Sequence, residues 1–193
     1  MELVPLPKGE WGHFYAENVY MVDLDASPKK RTMIQLFGNR ANYVEMNKYG
    51  EYFDKLTNYV SDETMTRKRI AKGKEDEALL RLFENSVVWH HGSHRNLETH
   101  LKETLEGKHM FCVYAPYNGQ AKAYETEGVG ARYLNSSNAY LVITDSLSFL
   151  WHGKGANKEE RDFGKECEAH NSRQETIVDL RNRKNCERAR GGR

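Results

Sequence analysis

A pattern of polar residues occurs twice in this sequence, and each copy ends in a glutamate near the predicted start of a helix. Each copy has an asparagine before a strand-like stretch, a glycine after a second such stretch, and the glutamate at one fixed distance beyond that glycine. The members are Asn18, Gly38 and Glu45, and then Asn138, Gly153 and Glu160. Such asparagines can cap turns, and such glutamates are favoured by the helix dipole, so one interpretation is purely structural. The recurrence also indicates a tandem of one fold.

Other reactive residue types form no catalytic constellation. The three cysteines are widely spaced, without a CxxC pair or a neighbouring histidine or aspartate, which is typical of reduced cytosolic thiols. His90 and His94 are separated by Gly92 and have no evident third ligand, so the pattern does not favour zinc. The stretch GKGAN lacks the Lys-Ser/Thr ending of a phosphate-binding loop. The sequence therefore predicts a protein that is not an enzyme.

Composition narrows the class of partner. The 193 residues include 29 Lys and Arg against 28 Asp and Glu, and the resulting net charge of +1 gives no bulk attraction for nucleic acid or anionic membranes. No apolar run approaches the roughly 20 residues of a membrane span, and the N-terminus does not resemble a signal peptide. We therefore expect a cytoplasmic protein without a transmembrane segment, in which any basic binding surface is a local patch.

The first half of the chain predicts one α+β unit. Residues 13–26 and 32–38 alternate apolar with polar residues and predict an antiparallel hairpin. From Glu45 onward, apolar residues three or four apart predict one stripe of an amphipathic helix: Met46, Tyr49, Phe53, Leu56 and Val60. A basic edge strand, a short helix and a closing strand are expected at 66–73, 75–83 and 84–92. We place this unit at 1–92.

The second half predicts a similar unit after a polar linker at 93–107. Strands are expected at 108–115 and 120–128, a hairpin at 138–153, a helix at 157–170 and a closing strand at 174–180. This places the second unit at 108–180, where it could be truncated. The basic tail at 181–193 has nothing to bury, so we expect it to be disordered or to begin a further element.

Three segments resemble the gelsolin/villin family of actin regulators and together cover nearly the whole chain. They are LVPLPKGEWGHFYAENVYMVDL, IAKGKEDEALLRLFENSVVWHHG and YLNSSNAYLVITDSLSFLWHGKGANKEER. The second is similar to the family's Gly-Lys-Glu element, short apolar helix and closing strand, and the third to its turn, strand, Leu-Trp-x-Gly and acidic helix. The fit is best to two consecutive repeats, a first or fourth and then a fifth. The resemblance implies an α+β fold in which each repeat has a mixed β-sheet sandwiched between a long and a short helix.

The resemblance also implies one calcium ion (Ca2+) in each repeat, held by a turn and by an early glutamate of the long helix. The matching positions are Glu17 (through its carbonyl), Asn18 and Glu45, and then Ser137 (through its carbonyl), Asn138 and Glu160. Calcium binds hard oxygen ligands, which these groups supply. Both turns carry Asn where the family usually has Asp, so each site has one negative charge fewer, and calcium affinity depends on that charge.

Actin contacts are implied for the long helix of the first unit, where Lys48, Tyr52 and Tyr59 are candidates for an outward face. Glu51 stands where the family often has an apolar contact, and Thr57 stands where it has an actin-bridging calcium ligand. Both departures weaken the expectation of strong capping by this unit. A solvated helix face is the alternative interpretation.

Two basic runs could bind phosphoinositides or an acidic partner, as the family's regulation by lipids implies. Their residues are Lys29, Lys30, Arg31, Arg67, Lys68 and Arg69. The alternative is a solvated turn followed by a charged edge strand that discourages sheet-to-sheet aggregation.

The function implied by the resemblance is that of a calcium-regulated protein of the actin cytoskeleton. Such a protein would cap, sever or sequester actin by binding subunits or filaments. The alternative is an interaction scaffold with the gelsolin fold that no longer severs and instead binds acidic partners or phosphoinositides. Exposed apolar residues on the long helix would favour actin, whereas a continuous basic face would favour the scaffold.

Overall fold

The computed structural model describes residues 5–24, 31–60, 65–93, 107–117 and 120–171. Contacts divide the chain into two units, Met1–Glu98 and Thr99–Arg193, and this division falls inside the predicted linker. Most of that linker, the closing strand predicted at 174–180 and the tail at 181–193 lie outside the described residues.

The first unit contains a mixed sheet and two helices. Its strands are β1 (His13–Tyr15), β2 (Val19–Asp23), β3 (Arg31–Phe37), β4 (Met65–Ala71) and β5 (Ser86–His90), and its helices are α1 (Tyr43–Val60) and α2 (Glu77–Arg81). The hairpin of β2 and β3 is antiparallel, as predicted, and β4 adds to β3 in parallel. β1 and β5 form a separate parallel pair.

The apolar stripe of α1 packs onto this sheet. Tyr49 and Phe53 are buried against Met33 of β3, with Met21 and Met65 partly buried around them. The burial of these two aromatic residues confirms the predicted packing face. Met46 is half-buried, and the side chains of Leu56 and Val60 lie outside the described part of the chain.

The short helix α2 is fixed by a cap and by a buried hydrogen bond next to it. The carboxylate of Asp76 accepts a hydrogen bond from the backbone N–H of Leu79 (2.9 Å), as an N-cap does. Glu75, just before the cap, accepts a hydrogen bond from Trp89 Nε1 in β5 (2.7 Å). Leu79 and Leu80 are completely buried, which confirms the predicted short apolar helix.

The second unit is an antiparallel sheet covered by one long helix. Its strands are β6 (His109–Tyr117), β7 (Gln120–Glu125), β8 (Ala139–Ile143) and β9 (Ser148–His152), and its helix is α3 (Lys158–Asn171). β6 lies between β7 and β8, and β8 forms a hairpin with β9. α3 packs against β6, β8 and β9 and buries Phe163 and Cys167. The short helix implied for this unit is not among the described residues.

The α+β class is confirmed in both units, whereas one predicted element is wrong. Residues 13–26 do not form a single strand, because a turn at 16–18 separates β1 from β2. The carbonyl of Ala16 accepts a hydrogen bond from Arg40 N–H (2.9 Å), and Asn18 N–H donates to the carbonyl of Tyr15 (3.2 Å). These bonds take the backbone groups out of a continuous strand.

Candidate functional site

The predicted site of the second unit is built on a glycine turn. Gly153 N–H donates to the carbonyl of Asn138 (2.9 Å), and Gly155 N–H donates to the carbonyl of Ser136 (2.7 Å). A Cβ atom on Gly153 would lie only 2.4 Å from the Ser136 oxygen. The two backbone segments approach so closely that only glycine fits between them.

The first unit closes its turn with equivalent bonds. Gly38 N–H donates to the carbonyl of Asn18 (3.1 Å), and Arg40 N–H donates to that of Ala16 (2.9 Å). A Cβ atom on Gly38 would lie 2.1 Å from the Ala16 oxygen. The repeated sequence pattern therefore corresponds to one repeated backbone geometry.

A tyrosine supports the turn in each unit. The hydroxyl of Tyr140 accepts a hydrogen bond from Asn135 Nδ2 (2.8 Å), and that of Tyr20 accepts one from the backbone N–H of Tyr15 (2.7 Å). Burial raises the pKa of Tyr140 to about 12 and raises that of Tyr20 as well. Both hydroxyls therefore stay protonated at neutral pH and act as neutral hydrogen-bonding groups.

Glu160 is a buried carboxylate, only 3% exposed, in the first turn of α3. Its Oε1 accepts a hydrogen bond from Asn138 Nδ2 (3.2 Å) and a long one from the backbone N–H of Ala115 (3.5 Å). Its Oε2 accepts one from the backbone N–H of Asn157 (3.2 Å). These donors, with the positive end of the helix dipole, compensate for burying the carboxylate charge. The structure thus brings the predicted residues Asn138 and Glu160 into contact.

Asn157 completes the site, although the sequence analysis did not single it out. Its Oδ1 accepts a hydrogen bond from Glu160 N–H (2.8 Å), and its Nδ2 donates to the carbonyl of Ala115 on β6 (2.8 Å). Asn157 and Glu160 therefore form a reciprocal capping box that also ties the helix start to the sheet. The spacing Asn-x-x-Glu before an apolar helix was the available signal, and it recurs at Asn42 and Glu45.

The equivalent glutamate of the first unit is placed differently. Glu45 is half-exposed in the first turn of α1, where Asn42 Oδ1 accepts from Val44 N–H (2.8 Å). Glu17, predicted to bind through its carbonyl, lies in the turn, and its N–H donates to Gly92 (3.0 Å). The first unit therefore keeps the turn but not the buried carboxylate.

The second-unit residues fit a calcium ion in type and in position. Glu160 and Asn138 are in contact, and Ser137 directly precedes Asn138 in a turn where its N–H donates to Asn135 Oδ1 (2.9 Å). Carboxylate, amide and carbonyl oxygens are the ligands that calcium takes. The described residues contain no group of three or more His, Cys, Asp or Glu that could hold a metal. An ion here would depend on amide and carbonyl oxygens beside one carboxylate.

The predicted actin-contact residues are only partly outward-facing. Lys48 and Tyr52 are half-buried on α1, and Lys55 Nζ lies 5.7 Å from the centre of the Tyr52 ring. The side chain of Tyr59 lies outside the described residues.

Among the side chains of α1 that the structure describes, the exposed apolar ones are instead at its start. Tyr43 is 74% exposed and Val44 is 57% exposed. At the same positions of α3, relative to the turn glycine, the second unit has Lys158 and Glu159. Tyr43 and Val44 were not predicted because they lie before the apolar stripe, although the difference between the two repeats at these positions is a signal for them.

Basic residues of the predicted patches make ion pairs within their own unit. Arg31 donates to Asp23 through Nε (2.7 Å), and Lys68 on β4 forms an ion pair with Asp76. Burial alone would raise the pKa of Asp76, but hydrogen bonds from Lys68 and Leu79 hold it below its usual value. Two further lysines, Lys29 and Lys30, lie outside the described residues.

The arginines of β4 lie over aromatic rings. The guanidinium of Arg67 is 5.0 Å from the ring centre of Tyr49 and 5.3 Å from that of Phe53. Arg69 lies 5.7 Å from the ring centre of Phe37. Such cation–π contacts stabilise the packing of α1 on the sheet and use part of the positive surface internally.

The thiols and histidines of the described residues show no reactive arrangement. Burial raises the pKa of Cys112 and raises that of Cys167 to about 12, so both thiols stay protonated. His13 Nδ1 and His90 Nε2 lie 3.0 Å apart in a hydrogen bond between β1 and β5. No helix in the described part of the chain is long and apolar enough to cross a membrane.

Several known proteins are similar in sequence to this chain. No family model matches the chain. The chain is 25% identical to a cytoplasmic gelsolin of Halocynthia roretzi over 81% of its length, and 24% identical to advillin of Mus musculus over 86%. It spans about a fifth of those relatives, 22% and 20% of their lengths. A gelsolin of Gallus gallus is 26% identical over 82% of this chain and 20% of its own.

The resemblance seen in the sequence motifs is confirmed as a similarity to gelsolins and advillin that extends over more than four fifths of the chain. Among solved structures, a chain from the crystal structure of the Thorarchaeota 2DGel3/rabbit actin complex superposes with a TM-score of 0.36 at 16% identity. That superposition covers 86% of this chain and 83% of the other. A score of this size does not establish a common fold.

Proposed function

We propose that this chain is a calcium-regulated actin-binding protein of the cytoplasmic actin cytoskeleton, without catalytic activity. It would cap, sever or sequester actin by binding subunits at a surface they use for each other. The similarity to gelsolins and advillin over more than four fifths of the chain carries this proposal. Because the chain spans about a fifth of those relatives, the activity is proposed for this part alone.

Actin binding would be centred on the start of α1. Tyr43 and Val44 are exposed there, and burying apolar surface is the main driving force of protein association. Lys48 and Tyr52 follow on the same helix and would form the edge of the contact, with Tyr59 further along. The second unit has Lys158 and Glu159 at the matching positions, so we propose that the first unit makes the principal contact.

Calcium would regulate the chain mainly through the glycine turn of the first unit, whose glutamate is half-exposed, and would bind more weakly at the turn of the second unit. The residues to hold it are Asn18, Glu45 and the carbonyl of Glu17, and then Asn138, Glu160 and the carbonyl of Ser137. When bound, the ion would supply positive charge between the turn and the first helical turn. The Glu45 carboxylate would thereby fix the start of α1 relative to its sheet.

A second candidate function is an interaction scaffold that binds acidic partners or phosphoinositides. The observation that favours it is the exposure of Arg67, Lys68 and Arg69 on β4, with Arg31 on the adjacent strand and Lys29 and Lys30 before it. The ion pairs and ring contacts described above use part of this surface. For that reason we place the scaffold second.

Sedimentation and pyrene-actin assays test the proposed function. The chain is mixed with filaments or with polymerising actin in calcium and in EGTA, beside a Tyr43→Asp/Val44→Asp variant. The matched control, Lys158→Ala/Glu159→Ala, changes the same positions of the second unit. We expect the first variant to weaken binding at least about tenfold, because a buried apolar contact is replaced by charge. The control should bind like the wild-type chain.

Absence of any effect on actin at micromolar protein would overturn the proposal. In that case, co-sedimentation with vesicles of phosphatidylcholine containing a phosphoinositide tests the scaffold directly. An Arg67→Ala/Arg69→Ala variant that loses vesicle binding would support the scaffold, whereas no vesicle binding by the wild-type chain would exclude it under these conditions.

A further inference from the structure

The geometry points to a state of the second unit that is ordered without calcium. In this state the side-chain amide of Asn138 takes the place of the ion. We propose that its N–H group donates a hydrogen bond to Glu160 and thereby holds the buried carboxylate in place without a metal. The inference rests on the proposed function only in the identity of the ion. It concerns the residues of this chain and how they behave when no ion is bound.

The orientation of the amide follows from chemistry. An ionised carboxylate offers only acceptors, so of the two ends of the Asn138 amide only Nδ2 can face Glu160 favourably. The distance from Nδ2 to Oε1 is 3.2 Å. An aspartate at position 138 would face the buried Glu160 with a second carboxylate, and two carboxylates in contact repel each other. The Asn–Glu pair is therefore satisfied without a cation, whereas an Asp–Glu pair would require one.

Asn157 holds the acceptor in place for this contact. It fixes the backbone of Glu160 through its Oδ1 and fixes itself to β6 through its Nδ2, while its own N–H binds the other carboxylate oxygen. Both carboxylate oxygens of Glu160 are thus engaged by N–H donors. A calcium ion would have to displace the Asn138 donor and turn the amide so that its oxygen faces the site. Ion and amide compete for one position.

The first unit provides the internal contrast. Asn18 occupies the same place in its turn, but Glu45 is half-exposed and open to water. Water can solvate Glu45, so adding a charge at position 18 has a smaller effect than adding one at position 138. Asn18→Asp is therefore a matched control that makes the same chemical change in the other unit.

The test compares thermal unfolding of the full chain in EGTA and in 1 mM calcium. We expect calcium to raise the wild-type Tm by less than it raises that of Asn138→Asp, because an ion that must displace the amide binds weakly to the second unit. Asn138→Asp should lower the Tm in EGTA by at least about 4 °C, and calcium should restore it. Asn18→Asp should leave the Tm in EGTA within about 2 °C of wild type.

Two further measurements keep the test decisive if Asn138→Asp does not fold. Asn138→Ala removes the donor without adding charge, and it should lower the Tm equally in both buffers. Hydrogen exchange of the peptide covering 153–161 reports on the second unit alone, and in the wild-type chain it should be equally slow with and without calcium.

Either of two results would overturn the proposal. One is a wild-type chain whose Tm or second-unit exchange responds to calcium as strongly as Asn138→Asp does. The other is an Asn138→Asp chain, or an Asn138→Ala chain, as stable as wild type in EGTA. None of these measurements contains actin, so their failure is distinguishable from a failure of the sedimentation assays.

Discussion

The two units of this chain use one backbone framework and treat its glutamate in opposite ways. In both, a glycine N–H binds the carbonyl of an asparagine, and the glycine approaches a neighbouring carbonyl too closely for any Cβ atom. In the second unit the glutamate is buried under Asn138 and Asn157, whereas in the first it is half-exposed. The glutamate therefore has the same position relative to the turn in both units, whereas its burial depends on the surrounding side chains.

The difference can be traced to the helix caps. Asn157 accepts a hydrogen bond from the N–H of Glu160 itself, and so pulls that residue into the cap. Asn42 accepts from the N–H of Val44, one residue earlier, and leaves Glu45 free of that constraint. The N–H group that the cap binds is thus shifted by one residue between the two units. The carboxylate is buried in the unit whose cap binds the glutamate and half-exposed in the other. Substitutions made in pairs, one in each unit, test this comparison.

The largest expected effect is the one that the two units share. Gly38→Ala and Gly153→Ala each place a Cβ atom within 2.4 Å of a backbone oxygen, so each should destabilise its unit by about 3 kcal/mol or more. Urea unfolding of each variant measures the loss. A large loss in one unit beside a negligible one in the other would show that the frameworks are not equivalent.

The next largest effect on stability should differ between the two units. Glu160→Ala removes a buried carboxylate that accepts hydrogen bonds from Asn138 and Asn157, so we expect a loss of about 2–3 kcal/mol in the free energy of unfolding. Glu45→Ala changes a half-exposed side chain, and its loss should stay within about 0.5 kcal/mol. Urea unfolding of both variants in EGTA makes the comparison without any ion. Equal losses in the free energy of unfolding would mean that the buried contacts of Glu160 do not stabilise the second unit.

The two supporting tyrosines should differ by a smaller amount. Tyr20→Phe removes the acceptor of a backbone N–H and should cost about 1–2 kcal/mol. Tyr140→Phe removes the acceptor of the exposed Asn135 side chain, which water can replace, and a hydrogen bond with the weakly bonding Cys112 thiol, so about 0.5 kcal/mol is expected. Chemical denaturation of the two variants ranks them. The reverse ranking would place the more important hydroxyl in the second unit.

The smallest effect appears only as a dependence on pH. At the same distance beyond the turn glycine, the first unit buries Phe53 and the second buries Glu168. Burial raises the pKa of Glu168, so the folded chain holds this proton more tightly than the unfolded chain. Its contribution to stability is therefore present below the unfolded pKa and is lost as pH rises through the folded pKa.

Glu168→Gln should remove that part of the pH dependence and raise stability at neutral pH relative to wild type. Urea unfolding at several pH values from 4 to 7 measures the effect. Glu159→Gln makes the same chemical change at an exposed residue of the same helix and serves as the control. Identical profiles for wild type and Glu168→Gln would contradict the burial argument.

Local patterns predicted the elements well because each depends on nearby residues. Tyr49 and Phe53 lie on one helical face in the sequence and on one packed face in the structure. The strand predicted at 13–26 ran through the turn at 16–18, which only the family resemblance indicated, because this turn depends on a hydrogen bond from Arg40 that no local pattern predicts. The parallel pairing of β1 with β5 could not be predicted for the same reason, since it joins segments that are far apart in the chain.

For the site, the sequence predicted the repeated residues but not their different burial. Asn18 and Asn138 look equivalent in sequence, and so do Glu45 and Glu160. What separates them is the contact of Asn157 with the carbonyl of Ala115, a bond between a helix cap and a strand more than forty residues away. Such a bond is a property of the folded chain.

Hydrogen exchange at the two cap residues tests the central comparison most directly. Asn157 N–H binds Glu160 in the closed site, so its exchange should be at least about tenfold slower than that of Asn42 N–H in the open one. The N–H groups of Arg161 and Met46, which bind the Asn157 and Asn42 carbonyls, serve as references within each helix start. NMR exchange in EGTA gives all four rates in one experiment. A slow Asn157 beside a fast Asn42 is the predicted result, and equal protection of the two would contradict the account.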